Sequence, residues 1–336
     1  MPPPDAGRAA ARLRFLDRAG WAGAMRHPLA GDASARRYQR LVRSDGTRAV
    51  LMDADPARDG STRSFVAVAR FLHAADLSAP RICAAEPAQG FLLLEDLGDG
   101  LFARLAERDP STEPALYAAA GEVLAALQHR APPADWPRAT PGHLGQALAP
   151  LFDHYAPEAA ALRAPAAAAL ARALEALGET TAVPILRDYH AENLIWLPER
   201  DGPARVGLLD FQDAMAGHPA YDLASLTRDA RRDVSPAAAE AALDAFLAAT
   251  GRARDATEAA MALLGAQRNL RILGIFARLA ATGKPRYLAL MPRVWRHLQA
   301  DLAHPAAAPV ARALGDALPP PDDARLDGLR RACPTP

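Results

Sequence analysis

The chain has 336 residues, of which half are hydrophobic, and this length exceeds the usual size of a single hydrophobic core, so two lobes are expected. Its 39 basic and 39 acidic residues give a formal net charge of zero, which argues against binding to nucleic acid or a membrane surface through bulk charge. No apolar run reaches the length of a membrane span, and the arginine-containing first residues lack the apolar core of a signal peptide, so we expect a cytoplasmic protein.

Residues 1–96 have the pattern of a small lobe that combines a β-sheet with helices. Helical periodicity occurs over residues 6–24 and 61–75. Residues 38–52 contain two strand-like runs around Asp45-Gly46, a strong hairpin signal, and further strands are predicted at 81–85 and 90–95. The last of these is a continuous apolar run, which predicts a strand buried on both faces.

Residues 97–318 are predicted to form a larger and mainly helical lobe. The sequence patterns place its helices at residues 112–130, 143–155, 158–178, 219–231, 235–250, 255–281 and 287–302. Three short strands, at 183–186, 193–197 and 205–211, interrupt them. A Pro-rich tail, 319–336, is expected to be loose. The chain as a whole predicts an α+β fold with two lobes.

Three polar residues flank the short strands of the larger lobe. Asp188 follows the first strand, Asn193 opens the second, and Asp210 ends the third. A hairpin over residues 193–211 would place Asn193 beside Asp210, and we expect Asp188 to reach the same sheet edge. Such oxygen ligands suit Mg²⁺, which also takes substrate phosphates as ligands. A remaining carboxylate can accept a proton from an attacking hydroxyl, so the set indicates phosphoryl transfer to an alcohol.

The order D-x-x-x-x-N, hairpin, D-F resembles the protein-kinase-like phosphotransferases. The loop RDYHAEN, the segment LLLEDLGD and the helix YDLASL resemble the aminoglycoside phosphotransferase family. Three further stretches resemble its bacterial anomeric kinases, which phosphorylate N-acetylmuramate and N-acetylglucosamine at C1 in cell-wall recycling: GDASARRYQRL, LLDFQDAMAGHPAYDLASLTRD and residues 267–298. The resemblance covers nearly the whole chain and implies a bilobal protein-kinase-like fold in which residues 1–96 form the nucleotide-binding lobe.

This resemblance also implies an activity and its cofactors. We expect ATP-dependent phosphorylation of an amino sugar with Mg²⁺, and an α-configured sugar 1-phosphate as the product. Asp188 corresponds to the catalytic base, and Asn193 and Asp210 correspond to the Mg²⁺ ligands. The adenine-contacting hinge corresponds to Glu95, Asp96 and Leu97. A downstream sugar-1-phosphate nucleotidyltransferase is implied as a pathway neighbour, although the sequence contains no visible docking motif for it.

The sequence departs from the family where the phosphates of ATP are held. Kinases of this class carry a Lys on the third strand, paired with a Glu on the next helix. Met52 and Asp53 stand at that position here, residues 61–75 contain no Glu, and Lys284 is the only lysine. The chain is therefore either a pseudokinase or a kinase in which an arginine contacts the phosphates. Because Asp188, Asn193 and Asp210 are all present, we favour the second interpretation.

The Gly-led segment GDASARR, residues 31–37, is the candidate source of that arginine. A turn of this type can bring backbone N–H groups close to a phosphate, although most such turns have only a structural role. Neighbouring residues of a strand point to opposite faces, so only one of Arg36 and Arg37 should reach the nucleotide. We select Arg37, together with Ser34, as the predicted nucleotide contacts.

Contacts to the sugar are predicted from polar residues near the catalytic loop, namely His190, Gln212, Asp213, Arg228 and Asp229. Asp222 is expected to cap its helix or brace the catalytic loop. Arg268, Asn269 and Arg271 lie on the polar side of a long helix, which is either solvated or pairs with a substrate carboxylate. Two alternatives stay open: a kinase for an aminoglycoside, choline or a homoserine-like metabolite, and a nucleotide-binding pseudokinase.

Overall fold

The computed structural model describes residues 4–29, 36–57, 59 and 61–332. The strands within these residues are β1 (Met25–Leu29), β2 (Arg37–Val42), β3 (Arg48–Asp53), β4 (Ile82–Glu86), β5 (Phe91–Glu95), β6 (Val183–Ile185), β7 (Leu194–Trp196), β8 (Val206–Leu208) and β9 (Met215–Gly217). The α-helices within them are α1 (Pro4–Arg18), α2 (Thr62–Ala74), α3 (Phe102–Arg108), α4 (Glu113–Gln128), α5 (Pro141–Gln146), α6 (Arg163–Ala176), α7 (Tyr221–Thr227), α8 (Pro236–Thr250), α9 (Arg254–Ala281), α10 (Met291–Leu302), α11 (Ala308–Leu314) and α12 (Asp323–Arg331). No helix in this described part of the chain is both long enough and apolar enough to cross a membrane.

The chain divides into two compact units. The first consists of Met1–Leu101 with Asn193–Asp213, and the second of Phe102–Glu192 with Ala214–Pro336. The predicted boundary at 96/97 lies close to the observed one, but the segment Asn193–Asp213 belongs to the first unit, although its sequence position falls within the predicted helical lobe.

The first unit is built on an antiparallel five-stranded sheet with the order β1-β2-β3-β5-β4. The predicted hairpin is confirmed: β2 pairs with β3, and Gly46 has a φ of 83° in the turn. Strand β5 is buried over Phe91–Leu94, as its apolar run predicts. Helix α1 packs Phe15 and Leu16 into the core cluster that contains Phe91.

Strand β1 was not predicted, and helix α1 ends at Arg18 rather than extending to residue 24. The sequence of β1, MRHPL, is mostly exposed and carries Pro28, so it has neither the alternation nor the composition of a typical strand. A proline is compatible with this position because β1 is an edge strand and pairs only with β2.

The hairpin of β7 and β8 joins the first unit through a backbone contact and a small apolar cluster. The N–H of Leu208 donates to the carbonyl of Ser78 at 2.8 Å. Leu97, Ile195 and Leu197 form a buried hydrophobic cluster. These contacts explain why a segment so distant in sequence belongs to the first unit.

The second unit is mainly helical, and its two-stranded sheet pairs β6 with β9. The three predicted short strands therefore lie in two different sheets: β6 pairs with the unpredicted β9, whereas β7 pairs with β8 in the first unit. The approach of Asp188 to Asn193 and Asp210 stays a prediction. Strand β9 has only three residues, Met-Ala-Gly, which is too short for a periodic signal, so its pairing depends on tertiary contacts.

The predicted loose tail is wrong for its described residues. Residues 323–331 form α12, whose Arg325 pairs with Glu158 at 2.8 Å. Just before this helix, the carbonyl of Pro319 accepts a hydrogen bond from the hydroxyl of Tyr155 at 2.7 Å. The proline-rich composition therefore marks a short connection that is tied to the unit by polar contacts.

Candidate functional site

The hairpin of the first unit brings Asn193 close to Asp210. Leu194 pairs with Leu208, and the carbonyl of Asn193 accepts a hydrogen bond from the N–H of Leu209 at 2.9 Å. Asp210 follows directly, and its φ of 56° lies in the left-handed region, which Asp enters more readily than most residues. The predicted hairpin is confirmed, and it leaves the Asp210 side chain 39% exposed at the strand end.

The chemistry of these two side chains fits Mg²⁺. Asn193 offers an amide oxygen and Asp210 a carboxylate, which are the hard oxygen ligands that this ion prefers. The described residues contain no group of three or more His, Cys, Asp or Glu side chains that could enclose a metal. Two protein ligands nevertheless suffice for Mg²⁺, because it commonly keeps water and takes substrate phosphates for its other positions.

Arg36 lies at the centre of a buried charge cluster in the first unit. Its guanidinium is 3.0 Å from the carboxylate of Asp210 and 3.2 Å from that of Asp59, and the side chain is 7% exposed. Burial lowers the pKa of Arg36, but Tyr38 and the two carboxylates raise it overall, so the side chain stays charged. Arg36 thus joins the predicted metal ligand to Asp59, which lies just before α2.

The predicted nucleotide contacts of the GDASARR segment have different outcomes. Arg36 is buried and Arg37 is exposed, as expected for neighbours on opposite faces. The structure places Arg36, not Arg37, beside Asp210. The phosphate contact predicted for Arg37 is therefore moved to Arg36 in the proposal below. Ser34 lies outside the described residues.

The position of the usual lysine has a structural role in this chain. Met52 is fully buried in β3, and Asp53 pairs with Arg8 at 2.6 Å and with Arg12 at 3.3 Å. Both arginines belong to α1, so these ion pairs fasten the first helix to the sheet. In place of the usual lysine, this strand therefore carries an aspartate that pairs with two arginines of α1.

The side chains of the predicted hinge are engaged with neighbouring residues. Glu95 pairs with Arg200 at 2.8 Å, and Asp96 pairs with Arg40 at 2.7 Å. Leu97 is buried in the small apolar cluster described above. Contacts to a base would therefore come from the backbone of this segment, as the resemblance implies, because both carboxylates already have partners.

In the second unit, Asp188 follows a tightly held turn. The carboxylate of Asp222 accepts hydrogen bonds from the N–H of Leu186 at 2.5 Å and from that of Arg187 at 2.8 Å. Arg187 has a φ of 72°, which costs conformational energy for a residue with a long side chain. Its carbonyl accepts hydrogen bonds from Ser225 at 3.1 Å and from Arg268 at 2.8 Å.

The expectation that Asp222 braces the catalytic loop agrees with this geometry. Asp222 is 2% exposed, and burial raises its pKa to about 6 although two N–H groups favour the ionised form. A buried carboxylate needs such partners, and here they are the backbone groups that precede Asp188. Asp222 therefore holds the backbone immediately before Asp188 and so helps to fix the position of the Asp188 side chain.

Two of the predicted sugar contacts lie in a buried polar group of the second unit. His190 is 5% exposed, with its Nε2 3.1 Å from Arg231, and both burial and this arginine lower its pKa. Asp229 is 2% exposed and accepts a hydrogen bond from the N–H of Arg231 at 2.8 Å. Its second carboxylate oxygen has no hydrogen-bond partner among the described residues.

The other three predicted sugar contacts are found elsewhere. Gln212 and Asp213 belong to the first unit, where Nε2 of Gln212 lies 3.2 Å from the carboxylate of Asp210. Arg228 pairs with Asp301, a residue that is 1% exposed, at 3.0 Å. We therefore interpret Arg228 as a structural partner of a buried carboxylate, and Gln212 as a neighbour of the proposed metal ligand.

Asp59 was not among the residues predicted from the sequence, and Arg37 was selected there instead of Arg36. Asp59 stands in a polar stretch with no periodicity, and only the fold brings it to Arg36. A signal was present for Arg36, because it was one of the two arginines in the Gly-led segment. What the sequence lacked was the distance to Asp210, which depends on the β7–β8 hairpin.

A family model described as "Phosphotransferase enzyme family" matches residues 26–264. The chain belongs to this phosphotransferase family. The resemblance stated from the catalytic loop, the hinge and the strand-end aspartate is thereby confirmed, and this member of the family is an ATP-dependent phosphotransferase.

Two relatives of this phosphotransferase are similar along most of their length. A protein of Caulobacter vibrioides named N-acetylmuramate/N-acetylglucosamine kinase is 42% identical over 344 residues, covering 90% of this chain and 94% of its own. A protein of the same name from Pseudomonas aeruginosa is 33% identical and covers 82% of this chain and 83% of its own.

Solved structures support the protein-kinase-like fold of this phosphotransferase. A choline/ethanolamine kinase family protein from Mesorhizobium loti has a TM-score of 0.62 at 16% identity, covering 91% of this chain and 98% of that one. A putative fructosamine-3-kinase from Thermobifida fusca has a TM-score of 0.60 at 19% identity, covering 86% and 98%. At these identities the likeness concerns the fold alone.

Proposed function

We propose that this phosphotransferase is a sugar kinase that transfers a phosphoryl group from ATP to the C1 hydroxyl of N-acetylmuramate and N-acetylglucosamine. The observation that carries the proposal is the 42% identity with the Caulobacter kinase over 90% of the chain. This similarity covers more of the chain than the family match does. It therefore extends beyond the residues that many phosphotransferases share.

On the acceptor side, Asp188 is the proposed general base. The sugar C1 oxygen attacks the γ-phosphorus, its proton passes to the Asp188 carboxylate, and the bond to the β,γ-bridging oxygen breaks to release ADP. An anomeric hydroxyl is more acidic than an ordinary alcohol, so a carboxylate of modest basicity is adequate. Asp222 supports this step indirectly, because its hydrogen bonds hold the backbone immediately before Asp188.

On the nucleotide side, Asn193 and Asp210 are the proposed ligands of Mg²⁺, which when bound supplies positive charge that offsets the charge of the phosphates. Arg36 is the proposed phosphate contact in place of the missing lysine. A guanidinium can donate two parallel hydrogen bonds to phosphate oxygens. Asp59 orients Arg36 much as a helix Glu orients the usual lysine.

The pseudokinase alternative loses its main support once Arg36 is considered. The missing lysine was its only basis, and a buried arginine already lies 3.0 Å from Asp210. The alternative of another small alcohol as acceptor is favoured by no specific observation. The solved structures of a choline/ethanolamine kinase family protein and of a choline kinase are less than 25% identical to this chain and inform on its fold alone.

The proposed product is an α-configured sugar 1-phosphate. A sugar phosphate of this kind suits a nucleotidyltransferase that would convert it to a nucleotide sugar, and this places the enzyme in the recycling of cell-wall sugars.

The test is a product analysis by ³¹P NMR. The purified protein is incubated with ATP and Mg²⁺ and, in separate reactions, with N-acetylmuramate, N-acetylglucosamine, glucose or kanamycin. We expect anomeric α-phosphate signals with the two N-acetyl sugars, and their loss in Asp188→Asn. Phosphorylation of kanamycin alone, or at a position other than C1, would contradict the proposal.

A further inference from the structure

Two arginines of α9 lie close to the catalytic loop. Arg268 and Arg271 are three residues apart and share one face of this helix. Arg268 donates a hydrogen bond to the carbonyl of Arg187 at 2.8 Å, and its guanidinium lies 5.0 Å from the centroid of the Tyr221 ring. Because Arg187 directly precedes Asp188, this face of α9 adjoins the proposed acceptor site.

Arg271 is partly buried yet has no acidic partner among the described residues at ion-pair distance. Burial lowers its pKa, and the positive charges of Arg187 and Arg268 lower it further, while Tyr221 and Asp188 act in the opposite direction. Holding a charged guanidinium in such surroundings opposes folding. A bound anion would remove this unfavourable contribution.

The carboxylates near Arg271 have other roles. The Asp222 oxygens already accept hydrogen bonds from the backbone of Leu186 and Arg187, and Asp188 is the proposed general base. This cationic face of α9 therefore suits a ligand that brings a negative charge.

We infer that Arg271 binds the lactyl carboxylate of N-acetylmuramate and thereby favours this sugar over N-acetylglucosamine, which has no carboxylate. The inference rests on the proposed function and assigns a specificity-determining residue to it. A carboxylate matches the guanidinium in shape, since two parallel N–H donors can meet its two oxygens. Arg268 and Arg187 contribute positive charge beside it, although part of each residue is committed to the loop.

A transferred phosphoryl group is the other oxyanion that could meet this cationic face of α9. We assign the face to the sugar because Arg271 and Asp188 belong to the same unit, whereas Arg36, Asn193 and Asp210 offer the phosphates their own cation and metal ligands. The two sources can be separated experimentally. A phosphoryl contact would serve both sugars equally, whereas a lactyl contact would serve only one of them.

The experiment compares the two sugars in the full-length protein and in three variants. Arg271→Gln removes the charge, Arg271→Lys keeps the charge without the planar fork, and Arg278→Gln is the matched control, because Arg278 is an exposed arginine near the end of the same helix. Steady-state kinetics with ATP and Mg²⁺ give KM and kcat for each sugar. Isothermal titration calorimetry without ATP gives the affinity for each sugar independently of turnover.

We expect Arg271→Gln to weaken binding of N-acetylmuramate roughly ten- to hundredfold and to change that of N-acetylglucosamine less than about twofold. Arg271→Lys should have an intermediate effect, and Arg278→Gln none. Equal losses for both sugars, or no loss for either, would overturn the inference.

The design also separates this inference from the proposed function. Selective weakening of N-acetylmuramate binding in a protein that phosphorylates neither sugar would support the carboxylate site and refute the kinase assignment. Turnover of both sugars with an unchanged preference in Arg271→Gln would support the kinase assignment and refute the carboxylate site. Wild-type protein that binds neither sugar would overturn both.

Discussion

The guanidinium of Arg36 lies 3.0 Å from the carboxylate of Asp210, the proposed metal ligand at the end of the β7–β8 hairpin. This contact connects the Gly-led segment of the sequence to the strand-end aspartate. It also identifies a cation near the proposed metal ligands in a chain whose only lysine is Lys284, a residue of the other unit.

Replacement of Arg36 is expected to impair the use of ATP. In Arg36→Ala, the KM for ATP should rise roughly ten- to hundredfold, because charge-assisted hydrogen bonds to phosphate oxygens are lost, while the KM for the sugar should change little. Arg36→Lys keeps the charge and should recover part of the loss. Initial-rate kinetics with ATP and sugar varied separately give both constants.

Arg37→Ala is the matched control for this prediction, because Arg37 is an exposed arginine at the next position. Its ATP kinetics should stay within about twofold of the wild type. A large rise in the KM for ATP in Arg37→Ala, with Arg36→Ala unaffected, would return the phosphate contact to Arg37.

Asp222 is expected to act on catalysis through the position of the loop. In Asp222→Asn the amide can accept from only one of the two N–H groups of Leu186 and Arg187, and its own NH₂ group opposes the other. We expect kcat to fall roughly ten- to hundredfold with little change in the KM for ATP. The measurement is a full kinetic comparison with wild type after circular dichroism has shown equal folding.

The pH dependence gives an independent check on Asp222. Its pKa in the folded protein is raised to about 6, so protonation below that pH weakens the acceptor that holds the loop. The wild-type kcat should therefore decline as pH falls through about 6, and this decline should be absent from Asp222→Asn. A decline of the same size in Asp222→Asn would mean that another group causes the fall in kcat.

Arg228 is expected to stabilise the fold by pairing with Asp301. Removal of one partner leaves the other charge buried, so Arg228→Ala should lower the free energy of unfolding by about 3 kcal/mol at pH 8. Chemical denaturation at several pH values measures the loss.

The sign of the pH effect follows from the raised pKa of Asp301, about 6 in the folded protein, where burial raises it and Arg228 opposes that rise. The folded state then binds a proton more tightly than the unfolded chain, so stability falls as pH rises from about 4 to 6. Without Arg228 the folded pKa should rise further. The cost of Arg228→Ala should therefore be smaller at pH 5 than at pH 8, and a cost independent of pH would contradict the pairing.

Gly121 is expected to be required for the packing of α4 against α8. A Cβ at this position would lie 2.3 Å from the carbonyl oxygen of Ala242, which is backbone and cannot move aside easily. Gly121→Ala should lower the free energy of unfolding by about 1–3 kcal/mol. Gly142→Ala, in an open position of α5, should be neutral or stabilise by up to about 1 kcal/mol. Thermal or urea unfolding of both variants tests the contrast.

The sequence alone determined the features that depend on neighbouring residues. Asp45-Gly46 predicted the β2–β3 hairpin, and the apolar run before Glu95 predicted a buried strand, because turn chemistry and side-chain alternation are local properties. The spacing of Asp188, Asn193 and Asp210 likewise carried the family resemblance, which the family match confirmed.

Only the tertiary structure decided the pairing of distant elements and the identity of the charged partners. Strand β6 pairs with β9 rather than with the neighbouring hairpin, and Asn193–Asp213 joins the first unit. Arg36 rather than Arg37 lies beside Asp210, and Arg228 is held by Asp301. The physical reason is that ion pairs and strand partners are chosen by distances between segments far apart in the chain, and no local pattern in the sequence encodes those distances.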